Sequence, residues 1–419
     1  MTEKLESIYH LIEEYRQISK IEKKEYGEVF SPFELINEML DTLPSEVWSD
    51  PKLKWLDPAN GIGNFPLIIV IRLMKGLKEW QPDEEKRYKH IIEKMIYVCD
   101  IQPKNNFIFI QLFGGIGKEE YKPNLCTTSF LNNGFNTWIK DKNIKKFDII
   151  VGNFPYNDKS KGKSRLGSFP LWIKFINKIF TMLKENGYLV TVHPSLWRQA
   201  NDKKCSILRE KNIIHLSIND EKKGMKTFGA ETRYDWYLLQ NAKYKGNTTV
   251  SDQENQTFDI DLSNWEFIPN MMFDEIEKLL PKGEEDSVKI LYSRSMYGTD
   301  KKNMSKEKVG NFKYPCIYMI SKEGEFKFFY SNIKKEHFNE TKVMVPPGRI
   351  SSVNVVGDKN GDYGLCQFAW GVKCNKTDID DIVEYMNGEE FKKIAYACSV
   401  SKLEYNKNII GCFKKEFWK

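Results

Sequence analysis

The sequence predicts an α/β fold, a doubly wound and mostly parallel sheet followed by a C-terminal α+β domain. Two observations predict it. Short apolar runs that end in an acid or a polar turn alternate with stretches of helical spacing, the pattern of strands joined by crossover helices. Past Leu239 the alternation stops, and a polar stretch (240–264, QNAKYKGNTTVSDQENQTFDIDLSN) leads into a different, aromatic-rich region.

The elements follow in order. Leu5, Ile8, Ile12 and Tyr15 recur at helical spacing and predict a lead-in amphipathic helix. Residues 26–40, YGEVFSPFELINEML, hold a helix start with Ser31 as N-cap, Pro32 in the first turn and Glu34 as first-turn acid. KWLD reads as a strand running into the turn DPANGIGNF, and Asn64 and Pro66 open a helix through 67–73. IYVCD (96–100) is a second strand, 106–112 a helix, and FDIIVGNFPYND (147–158) a third strand with its turn. A helix over 171–183, stopped by Gly187, precedes the strand GYLVTVHP (187–194), and 212–218 and 235–239 are further candidates. Residues 1–245 then form one domain, 246–264 a linker, and 265–419 a second domain with strand-like runs such as CIYMI and EFKFFY.

Composition narrows the function classes. The 419 residues are 41% hydrophobic and 29% charged, with a formal net charge of +6. That excess permits a polyanionic partner without requiring one. Residues 1–25 lack the apolar core of a secretory signal, and the most apolar run, 66–74, is short and broken by Arg72. The eight cysteines form no Cys-x-x-Cys pair and no histidine cluster accompanies them. Disulfides and a zinc site are therefore not expected. The expectation is an intracellular, cytoplasmic protein with no metal and no membrane partner.

Two constellations carry chemistry. In Asp57-Pro58-Ala59-Asn60-Gly61-Ile62-Gly63, glycines after a strand let the backbone approach a ligand, and the helix behind them points N–H groups at it. Asp100 ends the next strand, where a ribose diol finds its acceptor in a doubly wound sheet. Pro66 occupies the third position of a dinucleotide-type glycine motif, which disfavours a nicotinamide cofactor. The second constellation is Asn153-Phe154-Pro155-Tyr156 at the end of the 148–151 run. An amide oxygen and a backbone carbonyl accept hydrogens from an amine, and a tyrosine ring offers a face to a flat base. A polar turn with a half-buried tyrosine has the same residues, so the turn alone decides nothing.

Taken in order, these segments resemble the gamma class of N6-adenine DNA methyltransferases. Residues 26–40 are similar to that family's Gly-Glu-Val-Phe-Thr-Pro helix start, 57–63 to its cofactor loop, and 153–156 to its Asn-Pro-Pro-Tyr motif. The resemblance covers about residues 20–240 and departs at Phe154, which stands where the family has proline. It implies a methyltransferase sheet that binds S-adenosylmethionine and a C-terminal target-recognition domain over 265–419. Phe30 and Ser31 would border the methionine end of the cofactor, with Asp57, Ala59, Gly61 and Gly63 around it and Asp100 on the ribose. Ser129 and Phe130, in TTSFLN, would meet its adenine ring. Asn153 and the carbonyl of Phe154 would accept bonds from the target amine, with Pro155 stiffening the turn. Tyr156 and Phe228 would stack on the flipped base. The implied partners are double-stranded DNA and a separate restriction endonuclease. Residues 159–165 (KSKGKSR) and, in the second domain, Tyr292, Arg294, Tyr297, Lys301, Lys302 and Arg349 suit phosphate and base contacts.

Overall fold

The computed structural model describes residues 7–10, 31–115, 120–156, 170–200, 206–321, 325–400 and 403–419. The expected positions of Phe30, of 159–165 and of most of the lead-in helix lie outside them. The chain divides into two compact units, Met1–Trp197 with Lys203–Ser263, and Arg198–Asp202 with Asn264–Lys419.

The first unit is built on a nine-stranded sheet. Its strands in chain order are β1 (Trp55–Asp57), β2 (Ile96–Cys99), β3 (Asn124–Cys126), β4 (Phe147–Asn153), β5 (Leu183–Pro194), β6 (Lys211–Asn219), β7 (Tyr234–Lys243), β8 (Thr248–Ser251) and β9 (Thr257–Ile260). Their spatial order is β3-β2-β1-β4-β5-β7-β6-β8-β9. β1 to β5 pair in parallel, and β7 lies antiparallel between β5 and β6. The sheet is thus doubly wound and mostly parallel, with its order reversing beside β1, where the carboxyl ends of β1 and β4 open a crevice. β1 and β2 are buried at every residue, as strands covered on both faces must be.

The helix Asn64–Gly76 follows the glycine turn and buries Phe65, Leu67, Ile68, Ile69, Val70 and Leu73. Gly63 precedes it at φ 104°, and a Cβ there would meet Phe113 Cε2 at 2.9 Å. Only glycine fits both constraints. Between β6 and β7, the helix Glu221–Phe228 is capped by Asp220, whose carboxylate accepts from Lys223 N–H, and closed by Gly229 in the left-handed region.

Three expectations need correcting. Ser31 does not cap its helix: Phe33–Asp41 begins after Pro32 with no side-chain cap. β5 begins at Leu183, directly after the helix Leu171–Met182, so Gly187 lies inside the strand and not in a stop signal. The segment expected as a linker forms β8 and β9, with β8 paired in parallel to β6. Its polarity reflects an edge position, where one row of side chains faces solvent.

The second unit is α+β. One four-stranded sheet has the order Ile290–Leu291, Trp370–Lys373, Lys342–Val345, Val356–Asp358. The other runs Met304–Ser305, Phe326–Ser331, Tyr314–Ile320, Gly364–Leu365. Helices Ile379–Asn387 and Glu389–Ala397 complete it. Tyr297, expected to suit phosphate or base contacts, is instead fully enclosed, and its hydroxyl donates to the Lys335 carbonyl.

Candidate active site

The carboxyl ends of β1, β2 and β4 converge. The turn after β1 is tied to β2 by Asn60 N–H on the Cys99 carbonyl, 3.0 Å, and to Asp100 by Gly61 N–H on its Oδ2, 2.9 Å. Asp100 also accepts from Gln102 N–H at 2.8 Å. Each carboxylate oxygen has two lone pairs, so these bonds orient Asp100 without exhausting it. Asp57, 3% exposed, accepts from Ala59 N–H at 3.0 Å. Burial pushes its carboxyl up to about 8, with the nearby Asp100 charge adding to the rise.

β4 reaches this corner through Gly152. At φ 151°, a Cβ there would meet the Phe154 ring at 2.8 Å and Asp57 Oδ1 at 2.9 Å. Sequence reasoning overlooked Gly152, although its place directly before Asn153 was visible. The half-buried Asn153 donates its Nδ2 to Ser31 Oγ at 3.2 Å. Ser31 therefore meets the turn after β4 and does not cap the helix.

Phe154 accounts for its own departure from proline. It is 1% exposed and stacks on Phe175, 5.4 Å between centroids and 15° between planes. Phe175 in turn lies 5.5 Å from Phe130, which is buried against Phe135. The turn is thus anchored by burying an aromatic ring, where proline would have fixed φ. Pro155 is exposed. Tyr156 is half-buried, with its hydroxyl enclosed and without a hydrogen-bond partner among the described residues. Burial, together with Tyr234, holds that phenol well above the usual range. Its carbonyl accepts from Leu171 N–H at 3.1 Å.

The remaining expected residues are placed as follows. Ala59, Gly61 and Gly63 lie in the β1 turn, and Ser129 lies half-buried in the turn after β3, accepting from Leu131 N–H. Phe228 is 3% exposed and packs edge-on to Tyr234 at 4.9 Å. His193, at the end of β5, is fully buried, stacks on Trp172 and pairs its Nε2 with the Tyr237 hydroxyl. Burial lowers its pKa to about 4, so it is neutral at pH 7 and structural. No helix among the described residues is long and apolar enough to cross a membrane.

The corner suits a ligand that carries positive charge. Among the described residues, Asn60 in the turn after β1, Asn64 at the start of the helix behind it and Asn106 in the helix after β2 each bury a side-chain oxygen without a partner. Unpaired buried acceptors are costly and call for a donor. A sulfonium with an ammonium group supplies such charge and donors, so these residues fit S-adenosylmethionine.

Residues 68–224 match the family model of the Eco57I restriction-modification methylase. An adenine-specific methylase of Mycoplasma pneumoniae, itself uncharacterised, is 27% identical over 319 residues, covering 57% of this chain and 75% of its own length. Over these residues the chain is similar to restriction-modification methylases. Among solved structures, the type IIL restriction-modification enzyme MmeI in complex with DNA aligns over 95% of this chain and 67% of its own, at a TM-score of 0.50 and 12% identity. At that identity the likeness is one of fold. A modification subunit of a type I restriction enzyme from Vibrio vulnificus aligns at a TM-score of 0.42 and 16% identity, over 59% of this chain. The present chain spans about half of that subunit, 52%.

Proposed function

We propose that the protein transfers a methyl group from S-adenosylmethionine to the N6 amine of adenine within a specific double-stranded DNA sequence. The observation that carries this is Asn153, whose amide nitrogen is held by Ser31 at the mouth of the Asp57–Asp100 corner. With Nδ2 on Ser31, Oδ1 is the atom of this amide that is assigned to accept from an incoming amine.

The cofactor supplies an electrophilic methyl group on a sulfonium. Asn153 Oδ1 and the Phe154 carbonyl accept the two N6 hydrogens. This holds the nitrogen lone pair, otherwise shared with the ring, toward the methyl group. With the cofactor bound, transfer would form the C–N bond as the C–S bond breaks, the surplus proton leaving to water. Catalysis is then positioning and electrostatic preorganisation. A base in a duplex is out of reach, so it must be flipped, at a cost of roughly a few kcal/mol. Stacking on Tyr156 offsets part of that. Phe228 is the aromatic that closes the other side, and because its ring is buried, this contact requires the end of the 221–228 helix to open. The second unit chooses the target sequence, and a separate restriction endonuclease of the same specificity is the partner. The setting is the cytoplasm, where DNA and cofactor occur together.

Asp57 gives the cofactor step a pH signature. With its pKa at about 8, the carboxyl is mostly protonated at pH 7, and a cationic ligand lowers that pKa on binding. Binding below pH 8 therefore releases a proton, and affinity rises with pH up to about 8. Calorimetry from pH 6.5 to 8.5 should show this rise in the wild type and lose it in Asp57→Asn. Parallel profiles for the two proteins would remove Asp57 from the cofactor site.

Long-read sequencing of DNA from cells expressing the protein tests the overall reading. N6-methyladenine at one recurring sequence is expected, and unmodified adenine throughout would contradict it.

A further inference from the structure

The second unit holds a cleft of about 250 Å³ lined by Tyr292, Arg294, Gln367, Phe368, Glu404 and Lys407, among others. Lys407 is half-buried there with its ammonium 4.3 Å from the centre of the Tyr292 ring. Burial lowers its pKa. Lys342, Lys359, Lys373 and Lys392 of the same unit each meet a carboxylate within 4.0 Å. Lys407 meets none among the described residues. An ammonium held on an aromatic face without an acid is completed by an anion from outside.

Beside it, Arg294 Nη1 donates to Gln367 Oε1 at 3.3 Å. That bond engages one lone pair of the glutamine oxygen, and the same guanidinium has its Nη2 3.8 Å from Asp300 Oδ2, which steadies it. The pair carries as donors the Gln367 amide N–H groups and the guanidinium N–H groups not used in these contacts. Tyr292 and Phe368 are exposed, 37% and 55%. A point cation next to a donor-rich planar pair, with aromatic faces alongside, matches a backbone phosphate next to a base edge rich in acceptors. In the major groove, guanine N7 and O6 form such an edge.

We propose that this cleft reads duplex DNA, with Lys407 on a phosphate and Arg294–Gln367 on the guanine of one G·C pair in the recognised sequence. The proposal rests on the DNA-methylation reading. The full-length wild type is first used to define the methylated sequence. Binding is then measured by fluorescence anisotropy, over a range of salt, on that duplex and on duplexes with each G·C pair replaced in turn. Lys407→Met should weaken binding to all duplexes alike and reduce the salt slope by about one. Arg294→Ala and Gln367→Ala should erase the penalty for replacing one particular G·C pair, from about tenfold or more to none. Hydrogen exchange of the amides at 342–345 reports that the second unit stays folded in each variant. If the arginine and glutamine variants discriminate as the wild type does, or if the Lys407→Met slope is unchanged, the cleft is not the reader, while the methylation reading stands. A wild type that methylates no duplex overturns both.

Discussion

Asn153→Ala is expected to lower N6 methylation by about two orders of magnitude, the cost of losing one oriented acceptor, roughly 3 kcal/mol. Cofactor affinity should stay within about threefold, because in the proposed mechanism Asn153 accepts from the target amine and not from the cofactor. Ser31→Ala should fall less, since it removes only the bond that orients the amide. Single-turnover rates and calorimetry on both variants check this. Near-normal turnover in Asn153→Ala would mean that the amine is held elsewhere.

The largest expected stability effect lies in the second unit. Lys342 is fully buried, and its ammonium donates to the carboxylate of the buried Asp358 and to the carbonyls of His337 and Glu340. Burial pulls its pKa down, and the Asp358 hydrogen bond and charge oppose that. Lys342→Met leaves Asp358 enclosed without its counter-ion. Breaking one side of such a pair costs about 3–5 kcal/mol. Asp358 also accepts from Asp362 N–H and Tyr363 N–H. Lys342→Met with Asp358→Asn should therefore recover part of the loss by removing the stranded charge. Hydrogen exchange of the amides at 342–345 reads this locally, with exchange about 100-fold faster or more in the single variant. A change of less than about fivefold would show that Asp358 finds another partner or takes up a proton at little cost.

Much of the first unit was legible because its signals are local. A buried parallel strand is a short apolar run, and a ligand-binding strand end is a run that stops at an acid or a glycine. Asp57, Asp100 and Asn153 stand at such ends, and the structure gathers them at one corner. What could not be read depends on residues far apart in the chain. Ser31 looked like a helix cap because of Pro32 and Glu34, yet its partner is Asn153, 122 positions away. The consequence of Phe154 turns on Phe175, which stacks on its ring only once the helix 171–182 has packed. Thr248 and its neighbours read as linker because they are polar, but Thr248 is buried and donates to the Ile213 carbonyl. Tyr292 and Tyr297 are alike in sequence terms. One lines an open cleft and the other is core, and only tertiary packing separates them.

The central claim is that this corner methylates adenine in DNA. The most direct measurement incubates the purified protein with S-adenosylmethionine carrying an isotope-labelled methyl group, together with duplex DNA, RNA and a protein mixture. Nucleosides and amino acids are then resolved by mass spectrometry. The account predicts label in N6-methyl-2′-deoxyadenosine from the duplex, and its loss in Asn153→Ala. Label in N4-methylcytosine, in RNA or in protein, or undiminished label in the Asn153→Ala variant, would contradict it.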